Sequence, residues 1–312
     1  MRIGEKADLT LWKRNFNFKY NALARSELYG KHKRRKMNSL ESIGEFVEIN
    51  DHKMHVYRTG NPDKPKLVLM SGSSTVAPVY DFKILYTKLQ ADFRIIVVEK
   101  FGYGYSDICE FDCGIDSLVN LQREALEKLG EKGPYILMPH SMAGIEAIRW
   151  IQIYPDEVSA LIGLDMTSYI SYAEWTDSDI EKRSKLLNRM KKLGLYKLST
   201  IPHNDSLTQK DKKQLKLLQK RNAFNECYKR EAERVLENAA TVKNNEPIKC
   251  PTLLFSSNGK QTFRNWIQNQ QDFAEVMDAR LITYDCGHYI HYFKSEEMSK
   301  EIIGFIDSIS VR

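Results

Sequence analysis

The chain has 312 residues, of which 42% are hydrophobic and 28% charged, a composition typical of a globular protein rather than of a disordered or fibrous one. Its apolar runs are no longer than a β-strand, so the sequence predicts no transmembrane helix, and residues 1–11 lack the apolar core of a signal peptide. We therefore expect a cytoplasmic protein, with either one large α/β domain carrying an insertion or two ordinary domains.

The net charge of +6 is distributed unevenly along the chain. Residues 1–49 contain 11 Lys/Arg against 6 Asp/Glu, and residues 168–249 contain 18 against 11. The run KHKRRK at 31–36 indicates a solvated basic arm, so we expect no nucleic-acid partner. Contact of this arm with an anionic surface is the alternative.

The five cysteines are scattered and include no C-x-x-C pair, which argues against a disulfide framework and against a zinc cluster. Cys109 and Cys113 are four residues apart, but no second pair lies near them in the sequence. We therefore expect reduced thiols and no metal.

The predicted elements begin after a basic N-terminal arm at residues 1–45. Strands at 46–49 and 54–58 flank a short polar turn and predict a β-hairpin. Apolar strands then alternate with helices, and short buried strands joined by helices indicate a parallel sheet. The predicted strands and helices of this part are, in chain order, 66–70, helix 80–89, 94–98, helix 115–129, 135–138, helix 142–154 and 158–164.

The alternation stops after Leu164 for about 80 residues and resumes at Pro251. The intervening residues contain charged helical segments at 179–193, 210–220 and 225–238, with a break near Pro202. Because they also contain enough Leu, Tyr and Phe to pack on a surface, we expect an inserted helical lid at 168–246. The core would comprise 46–167 and 247–312, ending with strand 252–256, helix 263–276, strand 280–284 and helix 295–309.

The segment around Ser141 contains the motif that bears most directly on function. A predicted strand ends at Pro139, and His140, Ser141 and Met142 lead directly into an amphipathic helix. A nucleophile elbow needs this arrangement, because a strained turn between strand and helix raises the hydroxyl above the sheet. Ser141 as a helix N-cap is the alternative interpretation.

The usual elbow pattern is G-x-S-x-G, and here Pro139 and Ala143 replace the two glycines. Ala143 is small enough to fit. Pro139 is a departure from the pattern, because proline fixes φ and lacks a backbone donor at the end of a central strand.

With this motif, the chain resembles the α/β-hydrolases over residues 46–311. The loop Ser71-Gly72-Ser73-Ser74 stands where that family usually has a His-Gly oxyanion loop, and residues 99–107 are similar to the family's acidic-x-x-Gly-x-Gly-x-Ser turn. His288 follows the last predicted strand, as the family's catalytic histidine does. The resemblance implies an α/β fold, with a mostly parallel doubly wound sheet and a helical lid inserted after the sixth strand.

The resemblance also implies a catalytic triad, for which Ser141 and His288 supply the nucleophile and the base. In most family members the acid follows the penultimate strand, but the loop 256–262 contains no Asp or Glu. Asp165 ends the strand after the elbow helix, an alternative acid position in the family, and we predict it as the acid. The alternative is an N-cap or loop carboxylate without a catalytic role. Asp285 is the second candidate, although it would have to fold back to reach the imidazole.

The backbone N–H groups of Met142 and Ser73 are the predicted oxyanion hole. His140 is expected to brace the turn, and His291 is given no catalytic role. The aromatic residues of the insertion are candidates either for an apolar acyl pocket or for the core; they are Tyr169, Tyr172, Trp175 and Phe224.

A serine at the elbow separates this chain from epoxide hydrolases and haloalkane dehalogenases, which use an aspartate there. We therefore predict a serine hydrolase that cleaves an ester or related acyl bond of a small molecule, with no cofactor and no metal. A non-catalytic ligand-binding protein of this fold is one alternative, suggested by Pro139 and by the missing acid at its usual place. An amide- or peptide-cleaving enzyme is another, suggested by the large insertion.

Overall fold

The structure is a computed structural model, and it describes residues 40–193, 204–262 and 264–310. The described residues from Ser42 onwards belong to one compact unit. The predicted basic arm at 1–45 falls almost entirely outside the described residues, so its role stays a prediction. Because the predicted strands begin only at residue 46, we also predict that residues 1–36 are dispensable for the sheet.

The described residues form one eight-stranded sheet with the order β1-β2-β4-β3-β5-β6-β7-β8. Strands β1 and β2 form an antiparallel hairpin, β2 is antiparallel to β4, and all other neighbours are parallel. The prediction of a mostly parallel α/β sheet is confirmed. The strands are β1 Glu45–Ile49, β2 His52–Thr59, β3 Lys66–Met70, β4 Arg94–Glu99, β5 Tyr135–Pro139, β6 Val158–Leu164, β7 Thr252–Ser256 and β8 Arg280–Thr283.

Helices cover both faces of the sheet. Side chains alternate along β3, so that Val68 and Met70 belong to one core cluster and Leu67 and Leu69 to the other. This double burial explains the continuous apolar runs of the central strands. The α-helices of the described residues are α1 Pro78–Asp81, α2 Lys83–Leu89, α3 Ile115–Lys128, α4 Ala143–Ile153, α5 Asp177–Lys192, α6 Gln209–Asn222, α7 Glu226–Lys243, α8 Trp266–Val276 and α9 Ile290–Ser310.

Helices α5, α6 and α7 lie between the sixth and seventh strands, where the sequence predicted the insertion. The predicted break at Pro202 lies outside the described residues. The assignment of 168–246 as a separate lid stays a prediction. No helix in the described ranges is long and apolar enough to span a membrane.

The corner between α6 and α7 is bound to the loop that follows β4. Arg221 donates to the carbonyl oxygens of Gly104 (3.0 Å) and Ser106 (2.8 Å). Asn222 donates to Gly104 (2.7 Å), and Asn225 donates to Gly102 (2.8 Å). These bonds fix this end of the insertion to the core.

A buried ionic cluster makes a second connection between the insertion and the core. Lys100 Nζ lies 2.6 Å from Glu146 of α4 and 2.8 Å from Glu231 of α7, and all three residues are buried. Burial disfavours the ammonium, but the two carboxylates outweigh it and raise the pKa of Lys100. Tyr103 donates to Glu231, and Gln122 donates to Glu146 (2.8 Å). We call these five residues the Lys100 cluster.

Two helix predictions differ from the structure. The helix expected at 80–89 is two short helices that meet at Phe82. The helix expected at 295–309 begins at Ile290, with a kink at Lys294. The first turn of α9 forms because Ile290 is fully buried and the residues after it are bonded to Asp81.

Candidate active site

Ser141 lies in a sharp turn between β5 and α4. Its φ is +54°, in the left-handed region that non-glycine residues rarely adopt, and strain of this kind typically costs about 1–3 kcal/mol. Pro139 is accommodated within β5, because the N–H of His140 continues the pairing by donating to the carbonyl oxygen of Met70 (2.9 Å). No side chain caps the N-terminus of α4, so Ser141 does not act as an N-cap.

The loop after β3 approaches Ser141 so closely that it requires glycine. A Cβ atom added to Gly72 would lie 2.6 Å from Cβ of Ser141 and 2.8 Å from the carbonyl oxygen of His140. Any side chain at position 72 would therefore push the loop away from the serine. The loop that we expected to contribute to the oxyanion hole lies against the elbow.

The structure brings the three predicted triad residues together. Nε2 of His288 lies 2.9 Å from Oγ of Ser141, and Nδ1 lies 2.6 Å from Oδ2 of Asp165. The carboxylate can only accept a hydrogen bond, so we assign the proton to Nδ1, which leaves Nε2 to accept from the serine hydroxyl. The side chain of His288 is 18% exposed and that of Asp165 is fully buried.

The buried carboxylate of Asp165 has partners for both of its oxygens. Oδ1 accepts from the N–H of Ser257 (2.7 Å) and from Nε1 of Trp266 (2.8 Å), which leaves Oδ2 for His288. Asp165 itself is held at a φ of +45°. These donors stabilise the charged carboxylate in a buried environment and fix its direction.

Asp285, the second candidate for the acid, is directed elsewhere. Its exposed carboxylate accepts from Nδ2 of Asn258 (2.7 Å) and lies 3.8 Å from Nζ of Lys260. The hydrogen bond from Asn258 and the charge of Lys260 lower its pKa. No contact joins it to His288 within the described residues.

The two predicted oxyanion donors lie at the same cavity as the serine. Ser73 and Met142 both line the cavity that reaches Ser141. In the part of the chain that the structure describes, neither of their backbone N–H groups has a protein acceptor. Both groups are therefore available to an oxygen atom of a bound substrate.

His140 makes a contact that the sequence did not reveal. It is buried, and its Nε2 lies 3.3 Å from the carbonyl oxygen of His288. Since a carbonyl oxygen only accepts, Nε2 carries the proton. Burial lowers the pKa of His140 well below its ordinary value, and the neighbouring His288 and His291 add to this effect. A neutral ring therefore donates to the backbone of the predicted base.

Asp81 fixes the helix that follows His288. Its carboxylate accepts from Oη of Tyr292 (2.6 Å) and lies 3.2 Å from Nε2 of His291. These contacts join the start of α9 to the end of α1. No local sequence pattern could have revealed them, because the partners are about 210 residues apart.

The cavity at Ser141 is small, with a volume of about 50 Å³. Of the four aromatic candidates, Tyr172 and Trp175 line it, whereas Tyr169 lines a different cavity and Phe224 lies at the corner between α6 and α7. The described residues that line this cavity are Ser73, Ser141, Met142, Tyr172, Trp175, Ile180, Arg183, Ser184, Ala232 and Val235.

Neither a metal site nor a disulfide is present in the described residues. No group of three or more His, Cys, Asp or Glu side chains there is arranged to hold a metal ion. All five cysteines lie in this part of the chain, and all are free thiols.

Solved structures with the same fold span nearly the whole described chain. Cfl2 from Burkholderia cenocepacia has a TM-score of 0.66 and 17% identity, covering 84% of this chain and 95% of its own. A putative ancestral haloalkane dehalogenase, AncHLD2, has a TM-score of 0.65 and 17% identity, and the match covers 86% of this chain and 100% of its own. The enol-lactonase from Burkholderia xenovorans LB400 has a TM-score of 0.62 and 15% identity, and the match covers 84% of this chain and 100% of its own. The chain shares the α/β-hydrolase fold of these structures.

In sequence, the chain is 30% identical over 286 residues to the uncharacterized protein YbdG of Bacillus subtilis strain 168. The match covers 86% of this chain and 87% of YbdG, so the two proteins belong to one family. No protein-family model matches the chain.

Proposed function

We propose that this α/β-hydrolase is a serine hydrolase that cleaves an ester bond of a small molecule through an acyl-enzyme. The proposal depends above all on one observation, the continuous series of contacts from Ser141 through His288 to Asp165. A serine hydroxyl is a weak nucleophile at neutral pH, and a histidine within hydrogen-bond distance is the base that activates it. The buried carboxylate orients the imidazole and stabilises its protonated form.

In the proposed reaction, Oγ of Ser141 attacks the ester carbonyl while its proton moves to Nε2 of His288. The backbone N–H groups of Ser73 and Met142 bind the negative oxygen of the tetrahedral intermediate. The imidazolium then gives its proton to the departing alcohol oxygen as the C–O bond breaks. Water attacks the acyl-enzyme in the second half, with the same histidine taking its proton and returning it to Ser141.

The size of the cavity favours a short acyl group. A cavity volume of about 50 Å³ is only a few times the roughly 10–15 Å³ that one water molecule needs by the same measure. The likeness of the fold to an enol-lactonase agrees with ester cleavage. We therefore expect acetyl and butyryl esters of 4-nitrophenol to be hydrolysed with a higher kcat/KM than the octanoyl ester.

A fluorophosphonate probe tests the proposal directly, because it reacts with activated serines. We expect the wild-type protein to be labelled and Ser141→Ala not to be labelled. Ser308→Ala is the matched control, since Ser308 lies in α9 and its hydroxyl donates to the carbonyl oxygen of Phe305 (2.7 Å). An unlabelled wild-type protein would favour the non-catalytic ligand-binding alternative. Hydrolysis of 4-nitroanilides faster than of the corresponding esters would favour the amide-cleaving alternative.

A further inference from the structure

The loop between β3 and α1, residues 71–77, contains the predicted oxyanion donor Ser73; we call it the β3 loop. Near its start, Gly72 lies against the elbow. Near its end, the carbonyl oxygens of Thr75 and Val76 accept hydrogen bonds from distant parts of the chain. The position of Ser73 relative to the elbow therefore depends on the residues that hold Thr75 and Val76.

The β3 loop is only weakly held by its own bonds. Ser74 has a φ of +65°, a conformation that typically costs a non-glycine residue about 1–3 kcal/mol. The hydrogen bond from the N–H of Thr75 to the carbonyl oxygen of Gly72 is long, at 3.4 Å. Backbone strain of this kind persists only where the surrounding structure holds it. Contacts from outside the loop must therefore contribute to its shape.

Asn222, the last residue of α6, supplies a short contact of this kind. Its Nδ2 donates to the carbonyl oxygens of Val76 (2.8 Å) and Gly104 (2.7 Å), so both amide hydrogens are used. Its Oδ1 accepts from Arg221 (3.0 Å), and the residue is fully buried. The N–H of Gly104 also donates to the carbonyl oxygen of Val76 (3.2 Å). One buried side chain thus joins the β3 loop to the loop after β4.

A second contact with the β3 loop comes from Tyr228 in α7. Its hydroxyl donates to the carbonyl oxygen of Thr75 (3.3 Å), and its ring packs edge-on against Tyr103, with ring centroids 4.6 Å apart. Burial raises the pKa of Tyr228 well above its ordinary value, so the hydroxyl keeps its proton and acts as a donor. Asn222 and Tyr228 therefore hold the β3 loop from two helices of the insertion.

Asn225 lies at the same corner of the insertion but makes different contacts. Its Nδ2 donates to the carbonyl oxygens of Gly102 (2.8 Å) and Asn222 (2.8 Å). Its Oδ1 accepts from the N–H groups of Cys227 (2.9 Å) and Tyr228 (3.4 Å) at the start of α7. Among the described residues, no hydrogen bond joins the side chain of Asn225 to the β3 loop. Asn225 therefore shares the surroundings of Asn222 without its contact to that loop.

From these contacts we propose that Asn222 is a positioning residue, which with Tyr228 holds the β3 loop so that the N–H of Ser73 faces the oxygen of a bound substrate. The inference rests on the proposed function, because it concerns the predicted oxyanion hole. Such donors act only when they are aimed at the oxygen of the transition state, and a displacement of about 1 Å can cost about 100-fold in rate. The insertion thereby contributes to catalysis through the backbone of the core, although the described cavity lining includes neither Asn222 nor Tyr228.

Asn222→Ala tests the inference, with Asn225→Ala as the matched control. On 4-nitrophenyl acetate we expect Asn222→Ala to lower kcat per folded molecule about 10-fold to 100-fold with little change in KM, because oxyanion donors act on the transition state. Asn225→Ala also removes the N-cap of α7, so it should lower stability but keep kcat within about threefold of the wild-type value. Tyr228→Phe keeps the ring and removes one longer bond, so it should lower kcat about threefold to tenfold.

A tetrahedral analogue separates the position of the oxyanion donors from a general loosening of the fold. When 1,1,1-trifluoropropan-2-one binds, Oγ of Ser141 adds to its carbonyl carbon and the serine proton passes to Nε2 of His288. The former carbonyl oxygen becomes the anion that the oxyanion hole binds. We expect the Ki of this ketone to rise in Asn222→Ala by the factor by which kcat/KM falls, because such analogues report transition-state binding. The Ki of Asn225→Ala should stay at the wild-type value.

The inference is overturned if Asn222→Ala and Asn225→Ala have the same kcat and Ki, or if Asn222→Ala raises KM and leaves kcat unchanged. If circular dichroism shows that Asn222→Ala does not fold, Tyr228→Phe decides, and an unchanged kcat for it overturns the inference. A wild-type protein that hydrolyses no ester and is not labelled by a fluorophosphonate at Ser141 contradicts the proposed function itself. An active, labelled wild-type protein with an unaffected Asn222→Ala variant contradicts only the positioning role.

Discussion

Two histidine–carboxylate pairs in this molecule have similar separations but differ in their surroundings. Nδ1 of His288 lies 2.6 Å from Asp165, and Nδ1 of His55 lies 2.8 Å from Glu99. His55 and Glu99 are both fully buried, whereas His288 is 18% exposed. The second nitrogen of His288 faces the hydroxyl of Ser141.

The pair at His55 is enclosed by backbone. Glu99 accepts from the N–H groups of Val79 (3.0 Å) and Tyr105 (2.8 Å), and a Cβ atom at Gly44 would lie only 2.6 Å from Nε2 of His55. Backbone atoms fill the surroundings of this pair and leave no space for a substrate. A histidine–carboxylate pair thus becomes a candidate site only where its other nitrogen meets a nucleophile beside a cavity.

The largest expected effect comes from Asp165→Asn. In this variant the amide oxygen accepts from Ser257 and Trp266, so the amide NH2 faces Nδ1 and favours the wrong imidazole tautomer, a change that in a well-studied protease lowers turnover about 10⁴-fold. We expect a comparable loss of kcat on 4-nitrophenyl acetate, with the folded structure retained by circular dichroism. Asp285→Asn should change kcat less than about tenfold. A greater loss for Asp285→Asn than for Asp165→Asn would show that the acid is misassigned.

The corresponding change in the enclosed pair, Glu99→Gln, should affect stability rather than chemistry. It weakens two charge-assisted bonds from backbone N–H groups, each of which typically contributes about 1.5–3 kcal/mol. We expect the free energy of unfolding in urea to fall by about 2–3 kcal/mol. At a temperature where the variant is folded, kcat per folded molecule should match that of the wild-type protein. If kcat falls as far as in Asp165→Asn, the two pairs do not differ as we infer.

A smaller effect is expected for His140→Phe, which keeps a ring but removes the donor to the backbone of His288. A displaced base costs up to about 100-fold in rate, so we expect kcat to fall about 10-fold to 100-fold with little change in KM. His140→Asn, which restores an N–H donor, should recover part of the loss. If the two variants lose the same activity, packing rather than the hydrogen bond explains the role of His140.

The smallest effect is the pH dependence of stability that His140 contributes. Its folded-state pKa is lowered by burial, so below its ordinary value of about 6.5 the unfolded chain binds a proton that the folded protein does not. The contribution of His140 to the free energy of unfolding is therefore fully present above about pH 6.5. It decreases as the pH falls, by at most about 1.4 kcal/mol per pH unit. Between pH 7.5 and pH 5.5, the free energy of unfolding in urea should decrease less for His140→Phe than for the wild-type protein. If the free energy of unfolding decreases as much in the variant as in the wild-type protein, His140 is not neutral in the folded state.

Local patterns were sufficient to predict the sheet, because alternating strands and helices specify a doubly covered parallel sheet. The positions of Ser141, Asp165 and His288 followed from the resemblance, since all three lie directly after strands or at a strand-to-helix turn. The structure brings these residues into contact, while their catalytic roles stay predictions. The start of α9 was missed, because the bonds of its first turn to Asp81 join residues about 210 positions apart.

The role of His140 was not apparent for a similar reason. Its acceptor, the carbonyl oxygen of His288, is 148 positions away, and any residue could supply that carbonyl. Arg183 was one of many cations in a charged segment, and the sequence could not show which of them lines the cavity. Side chains whose partners are backbone atoms or cavities leave no pattern in a single sequence.

The Lys100 cluster limits how the insertion can be exchanged between related proteins. A chimera that replaces α7 with a helix lacking an acid at position 231 would leave the buried ammonium with one carboxylate instead of two. Removing a partner from a buried ion pair typically costs about 3–5 kcal/mol, a large part of the stability of an ordinary domain. The segment α5, which contains Arg183, has no member in this cluster. Segment α5 can therefore be exchanged without removing a partner of Lys100, provided that α7 is kept.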